Sequence, residues 1–205
     1  MKLETRPARE SDLPALKRMI DEYLALDYYS LEELGTCIRG ERNLFYVVTD
    51  TDRNGDMIAF FYGFLAPLDE ALELLHVRQT PEALKQYDRR TMVGVYKTAS
   101  TAKEYQNHGL CSSFIRELEP VMKARGAKMI VGTAWRTPEG VVPMKRIFHD
   151  TGFEPVAEII RPWYDMDLFC TSCKRRHCIC DAVFYIKHLD RTEDEDVRES
   201  DESAR

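Results

Sequence analysis

The apolar and polar positions change period several times along the chain, and each change marks an element. Residues 3–7 form a short strand candidate. Ser11 or Asp12 then offers a helix cap, with Pro14 in the first turn, where its missing N–H costs little. Leu13, Leu16, Ile20, Tyr23 and Leu24 recur at helical spacing, so one face of that helix is buried. A second, shorter helix is expected over 31–38. The β-branched run 44–49 reads as a strand and the aromatic-rich run 57–65 as its partner. Between them the polar stretch 50–56 carries the hairpin signal Asn54-Gly55. From 67 to 90 the pattern weakens. Short helical pieces are expected at 69–75 and 81–87, and a segment this long between strands often serves as a lid or binding element.

Periodicity returns at 91–101, a strand in which Val93 and Val95 alternate. Leu110, Phe114, Leu118 and Met122, spaced by four, predict a helix over 109–125. Pro120 lies inside it and is expected to kink or interrupt it, and Gly126 supplies a left-handed stop. A strand follows at 128–134, then a short helix at 143–150 stopped by Gly152, then strands at 156–160 and 182–186. The order β, α, α, β, β, insertion, β, α, β, α, β, loop, β predicts an α/β (α+β) fold with one mixed sheet covered by helices.

Composition narrows the class. A chain of 205 residues that is 44% hydrophobic and 31% charged suits one domain with a real core. That domain is expected over 1–189. From Asp190 onward eight acidic residues face three basic ones, with Val197 the one sizeable aliphatic, so 190–205 is expected to be a solvated, disordered tail. The tail carries most of the net charge of −6, which leaves the rest near neutral, without the basic excess of a nucleic-acid binder. No apolar run approaches the roughly 18 residues of a membrane span. No apolar stretch follows Lys2, so neither a signal peptide nor a membrane partner is expected and the protein is placed in the cytoplasm.

Two stretches carry chemistry. The first is Glu104-Tyr105-Gln106-Asn107-His108-Gly109-Leu110-Cys111-Ser112, between a strand and an amphipathic helix. A turn there exposes successive backbone N–H groups, and the helix N-terminus adds partial positive charge, which together suit a phosphate. Gly109 allows close approach, and small Cys111 and Ser112 keep the first turn open. The same pattern also fits a plain turn.

Gln106, Gly109 and Cys111 occupy the fixed positions of Q/R-x-x-G-x-G/A, so the stretch resembles the pyrophosphate loop of the GCN5-related N-acetyltransferases. Tyr105 before the glutamine agrees. So do the opening Arg6-Pro7-Ala8-Arg9-Glu10-Ser11-Asp12-Leu13 and the late Phe148-His149-Asp150-Thr151-Gly152-Phe153-Glu154. The resemblance covers roughly 3–160, with 183–186 as a last element. It implies a mixed, mostly antiparallel sheet flanked by helices and an acyltransferase that moves acetyl from acetyl-coenzyme A directly to an amine. Main chain near Ala99, Ser100 and Thr101 would pair with the pantetheine arm. Amides of Gln106, Asn107, His108, Gly109, Leu110, Cys111 and Ser112 would hold the pyrophosphate. Strands ending near Thr101 and Ala134 would splay around the thioester. The implied partner is an amine on a small molecule or a protein, with a homodimer left open.

Two departures concern catalysis. Where the family often has a thiolate-protonating tyrosine, four residues before the glycine of the last turn, this chain has Phe148. An asparagine that often contacts the cofactor is replaced by Val141. His149 is adjacent to Phe148 but about 100° around the helix. Tyr164, Tyr96 and a bound water are alternative acids, and Glu73, His76 and Tyr96 are candidates for the base. A binding-only coenzyme A sensor is the alternative reading.

The second stretch reads C-x2-C-x4-C-x-C: Cys170, Cys173, Cys178 and Cys180. In a chain placed in the cytoplasm, four clustered thiols point to metal before disulfide, and four soft thiolates suit tetrahedral zinc. Four thiolates leave no open position, so the expected Zn2+ is structural; His177 could replace one thiolate, and a redox dithiol or unligated thiols are the alternatives to a metal. Lys174, Arg175, Arg176 and His177 ride on the same loop. They offset the thiolates' charge, or else touch a phosphate or a partner, which makes a zinc-knuckle interaction protein the third reading. Cys37 and Cys111 are isolated. Cys111 beside a helix N-terminus would have a lowered pKa, whereas a packing role would leave it inert.

Overall fold

The computed structural model describes residues 2–189, and the stretch expected to form an acidic tail lies outside them. In chain order the elements are β1 (Leu3–Pro7), α1 (Leu13–Tyr23), β2 (Ala25–Leu26), α2 (Leu31–Arg39), β3 (Asn43–Asp50), β4 (Asp56–Pro67) and α3 (Leu68–Leu74). They continue with β5 (Met92–Thr101), α4 (Leu110–Ala124), β6 (Met129–Arg136), α5 (Lys145–Asp150), β7 (Glu154–Ile159), β8 (Phe169–Cys170) and β9 (Asp181–His188).

Seven strands make one sheet in the order β1-β3-β4-β5-β6-β9-β7. Every neighbouring pair is antiparallel except β5 with β6. A parallel pair needs a long crossover, and α4 supplies it. The β3–β4 hairpin turns where the sequence signals it: Asn54 (φ 54°) and Gly55 (φ 78°) are both left-handed.

Alternating side chains build a core on each face. On one face α1, α2 and α3 pack Leu16, Ile20, Leu34 and Leu72 onto Val47, Phe60, Val93 and Val131. On the other, α4 and α5 pack Phe114, Ile115, Leu118, Met122 and Phe148 onto Phe61, Tyr96 and Ile130.

Two expectations need correcting. Pro120 does not interrupt α4, which runs unbroken from Leu110 to Ala124. Pro120 and Arg116, whose carbonyl loses its partner, are both exposed, so water takes the lost bond. The four buried side chains below are worth roughly 1.5–3 kcal/mol each, enough to offset a proline cost of about 3 kcal/mol. The cap at Ser11 or Asp12 also takes another form. Asp12 precedes α1 but makes no side-chain cap. Its carboxylate accepts two hydrogen bonds from Arg6 (2.7 and 2.8 Å) and one from the Arg9 amide (2.7 Å), tying β1 to the helix start. Those bonds from Arg6 hold the Asp12 carboxyl below its usual range.

A second, two-stranded sheet was not legible in the sequence. β2 pairs with β8, Ala25 opposite Cys170 and Leu26 opposite Phe169. The amide and hydroxyl of Thr171 both donate to the Leu24 carbonyl, at 3.3 and 2.6 Å. The cysteine loop is thereby stitched to the end of α1. Among the described residues no helix is long and apolar enough to cross a membrane.

Candidate active site

The sheet opens between β5 and β6. Their pairing runs from Val93–Met129 to Tyr96–Gly132 and goes no further, although β5 continues to Thr101 and β6 to Arg136. At the same point β5 carries a bulge against β4: Tyr62 pairs with Thr98 and Gly63 with Tyr96, which leaves Lys97 unopposed. A bulge bends its strand, and here β5 leaves β6. A cleft of about 1090 Å³, its open mouth included, fills the gap. It reaches from the α4 face, where Ile115, Met144 and Phe148 line it, to the α1 face, where Leu24, Tyr28 and Leu75 do.

The predicted phosphate turn lies between Ala99 and Ile115 in the chain, both of which line the cleft, but is not itself part of the lining. Gly109 precedes α4 with φ 79°, and nothing lies within 4 Å of where a Cβ would sit. The first amides of α4, at Leu110, Cys111 and Ser112, have no carbonyl one turn behind them, so the helix start can cradle an anion. The loop before it is pinned. Gln106 donates from Nε2 to the Thr101 carbonyl (3.0 Å), and His108 Nδ1 lies 2.8 Å from the Gln106 carbonyl. Buried Tyr105 donates its hydroxyl to Asp50 at 2.6 Å, which lowers the Asp50 carboxyl. Asn107 and His108 are exposed on the turn. Ala99, Ser100 and Thr101 pair with Phe61, Phe60 and Ala59 of β4, and their other edge faces the opening. Cys111 is a packing residue: burial pushes its thiol up to about 12, and its Sγ lies 4.0 Å from Met144 Sδ.

The catalytic candidates separate by position. Tyr96 lines the cleft and donates its hydroxyl to the Ile115 carbonyl at 2.9 Å. Burial drives its pKa far above that of a free tyrosine, so the hydroxyl keeps its proton. Glu73 is exposed on α3 and is not part of the cleft lining. Tyr164 is 41% exposed and stacks on His177, also outside the lining. His76, half-buried next to Leu75, has its pKa lowered by burial and by the charges of Lys97 and Arg78. Phe148 is buried against Phe153 and Tyr185, with ring centroids 4.8 Å away in each case, and its edge lines the cleft. Lys97, which no motif marks, also lines the cleft and donates from Nζ to the Leu74 carbonyl.

The four cysteines converge. All four Sγ atoms lie within 4.8 Å of one another, with Cys170–Cys180 and Cys173–Cys178 each at 3.9 Å. A tetrahedron of sulfurs about 2.3 Å from zinc has edges of about 3.8 Å. The turn that gathers them is held by Lys174 N–H to the Cys170 carbonyl (3.0 Å) and Cys170 N–H to the Arg175 carbonyl (2.9 Å). The buried Trp135 indole nitrogen has no hydrogen-bond partner of normal geometry; burial pushes the Cys180 thiol up to about 11, and the nearby indole N–H offsets part of that rise. An orphaned N–H beside sulfur fits a metal-bound thiolate. Arg176 pairs with Asp167 at 2.8 Å and reaches Asp27 at 3.9 Å, and Lys174, Arg175 and His177 are exposed on the same loop. Cys170 and Cys178 line the cleft itself.

No family model matches this chain, and no curated protein matches its sequence. Solved structures do. NAA60 from Arabidopsis thaliana, in complex with acetyl-CoA, superposes with a TM-score of 0.70 at 14% identity, over 93% of this chain and 100% of that one. The ribosomal-protein-S18-alanine N-acetyltransferase from Escherichia coli gives 0.60 at 17%, over 93% and 96%. An acetyltransferase of the GNAT family from Streptococcus pneumoniae gives 0.60 at 14%, over 92% and 99%. The strand order, the single parallel pair that splays, and these superpositions agree: the fold of this chain is that of the GCN5-related N-acetyltransferases.

Proposed function

We propose that this protein is an N-acetyltransferase that moves the acetyl group of acetyl-coenzyme A directly to a primary amine. The observation that carries the reading is the cleft in the gap between β5 and β6, lined by Ala99 of β5 and Ile115 of α4, on either side of the anion-cradling helix start in the chain, and reaching through to the opposite face of the sheet. The amides of residues 106–112 hold the pyrophosphate. The free edge of Ala99, Ser100 and Thr101 takes the pantetheine arm as an added strand, which delivers the thioester into the gap. The amine enters from the α1 face, attacks the carbonyl carbon and forms the C–N bond as the C–S bond breaks. Holding both reactants in one cleft supplies most of the acceleration.

The leaving thiolate needs a proton. We assign that role to Tyr96 in place of the residue that Phe148 replaces, because its hydroxyl lies beside Ile115 in the cleft lining; the proton it gives up is restored by the one the acylated amine sheds. Tyr164 and Glu73 stand outside the lining and are assigned no contact with the reacting atoms. Cys170, Cys173, Cys178 and Cys180 hold a structural zinc ion, which fixes the loop but takes no part in the transfer. Among the structural neighbours are a ribosomal-protein-S18-alanine N-acetyltransferase and a putative phosphinothricin N-acetyltransferase, and the acceptor here is an amine of a protein or a small molecule.

The test is calorimetric titration of the full chain with acetyl-coenzyme A, followed by a free-thiol release assay across amines. Micromolar binding with amine-dependent thiol release is expected. Binding without release from any amine would leave only a coenzyme A sensor, and well-folded protein that binds no acetyl-coenzyme A would overturn the reading.

A further inference from the structure

The acceptor end of the cleft is chemically one-sided. Leu24, Ala25, Tyr28, Leu75, Trp163 and Leu168 line it, with Cys170 and Cys178 behind them. Ala25 and Leu168 share a small apolar core with the cysteines, and Trp135 and Trp163 pack against it. The loop of the proposed zinc site is therefore also a wall of the cleft. Among the described residues lining the cleft no carboxylate appears, and Lys97 is the one cation. The carboxylates carried by the same loops are already paired: Asp165 with Arg78 at 2.7 Å, and Asp167 and Asp27 with Arg176. Lys174 and Arg175, exposed on the same loop, carry charge opposite to that of a four-thiolate site.

Resting on the acetyltransferase reading, we propose that the acceptor is a primary amine on an uncharged, apolar body of aromatic or branched aliphatic type, and that the cysteine loop is the wall that selects it. A polyamine or a lysine-rich segment brings further ammonium groups, and each must give up water for a partner the lining does not provide. An apolar body loses nothing on entering and gains the faces of Tyr28, Trp135 and Trp163. The single amine needs only to reach the thioester.

The chain contains two tryptophans, Trp135 and Trp163, and both line this cleft, so intrinsic fluorescence reports its occupancy directly. The experiment uses full-length, zinc-loaded protein saturated with acetyl-coenzyme A. Phenethylamine, a short peptide beginning with Phe, and spermidine are compared by thiol release and by fluorescence titration. For phenethylamine or the peptide, kcat/KM is expected at least tenfold above that for spermidine, with saturable quenching. The ratio between those two probes tells a free amine from a peptide terminus. Trp163→Ala, on a half-buried side chain, is expected to raise the preferred acceptor's KM about tenfold while the Kd for acetyl-coenzyme A stays put. Preference for spermidine, or an acceptor KM indifferent to Trp163→Ala, would overturn the proposal. Failure to bind acetyl-coenzyme A would instead remove the acetyltransferase reading on which it rests. Should acetyl-coenzyme A bind without turnover, the quenching order of the probes still decides.

Discussion

The two ends of the cleft are built in opposite ways. The proposed cofactor end is one continuous stretch, Ala99 to Ser112, which offers backbone: a free strand edge, a left-handed Gly109 and the first amides of α4. The acceptor end is made of side chains from distant stretches, Leu24–Tyr28, Leu75, Trp135 and the loop from Trp163 to Cys178. A backbone site needs particular residues only where chain geometry demands them, so it leaves a short motif and tolerates change elsewhere. A side-chain site leaves no local motif and is held in place by whatever fixes its loops. Here that task falls to the β2–β8 ribbon and the four cysteines. Damage to the two ends should accordingly separate into lost cofactor binding and lost acceptor binding.

The largest effect is expected from the metal. Cys173→Ser, or treatment with a strong chelator, withdraws the zinc ion proposed to hold the loop. Zinc binding to such sites is folding free energy, and a loss of about 4 kcal/mol lowers the Tm of a domain this size on the order of 10 °C. Elemental analysis should find one zinc per chain before treatment. Acetyl-coenzyme A binding should survive at temperatures where the protein is still folded, because nothing in residues 99–112 touches the cluster in the cleft lining. Simultaneous loss of both binding functions would show that the ends are one unit.

Next in size is Tyr96→Phe, which removes the proposed acid but keeps the ring. General acids contribute at least about a hundredfold, so kcat should fall by that order with the Kd for acetyl-coenzyme A unchanged. Phe148→Tyr in the same background should recover part of it, since the Phe148 ring lines the same cleft. An undiminished kcat in Tyr96→Phe would assign the proton to water instead. Gly109→Val comes third. A Cβ there meets no protein atom within 4 Å, so the main cost to the fold is backbone strain at φ 79°, about 1–2 kcal/mol. In the pyrophosphate's place it costs one or two charge-assisted hydrogen bonds, about 2 kcal/mol, so the Kd for acetyl-coenzyme A should weaken about thirtyfold while acceptor quenching persists.

The same contrast explains what the sequence made legible. The apolar period located each long strand and helix, and the Gln106-to-Cys111 spacing located the turn, because both signals are local. The four cysteines were legible as a cluster, since ligand spacing is a chain property. Their place against the cleft was not, because it depends on two-residue strands, β2 and β8, too short to have a period. Lys97 was invisible for a similar reason: its position follows from a bulge between β4 and β5 that a strand pattern does not announce. Glu73 drew notice as an acid in the insertion, but it lies on the solvent side of α3, while Leu72 and Ala71 take the buried side.

The smallest expected effect is a shift in pH profile, and it bears on how the amine loses its proton. The described lining of the cleft offers neither carboxylate nor imidazole. Tyr96 is raised by burial, so it holds its proton and is no base near neutrality. His76 is lowered by burial and by Lys97 and Arg78, so it is already neutral at pH 7. Were it the base, activity would fall only as pH dropped through a value below the usual 6.5 or so, and that midpoint would be the same for every acceptor. If the amine instead arrives deprotonated from solution, kcat/KM rises with pH up to the acceptor's own pKa. The midpoint then moves from about 8 for a peptide α-amine toward about 10 for an alkylamine. Profiles for a Phe-initiated peptide and for phenethylamine are expected to differ in this way, with His76→Ala leaving both unmoved. A shared midpoint below 6.5 that His76→Ala abolishes would instead place a base on the insertion after β4, and the acceptor end would then contribute chemistry as well as shape.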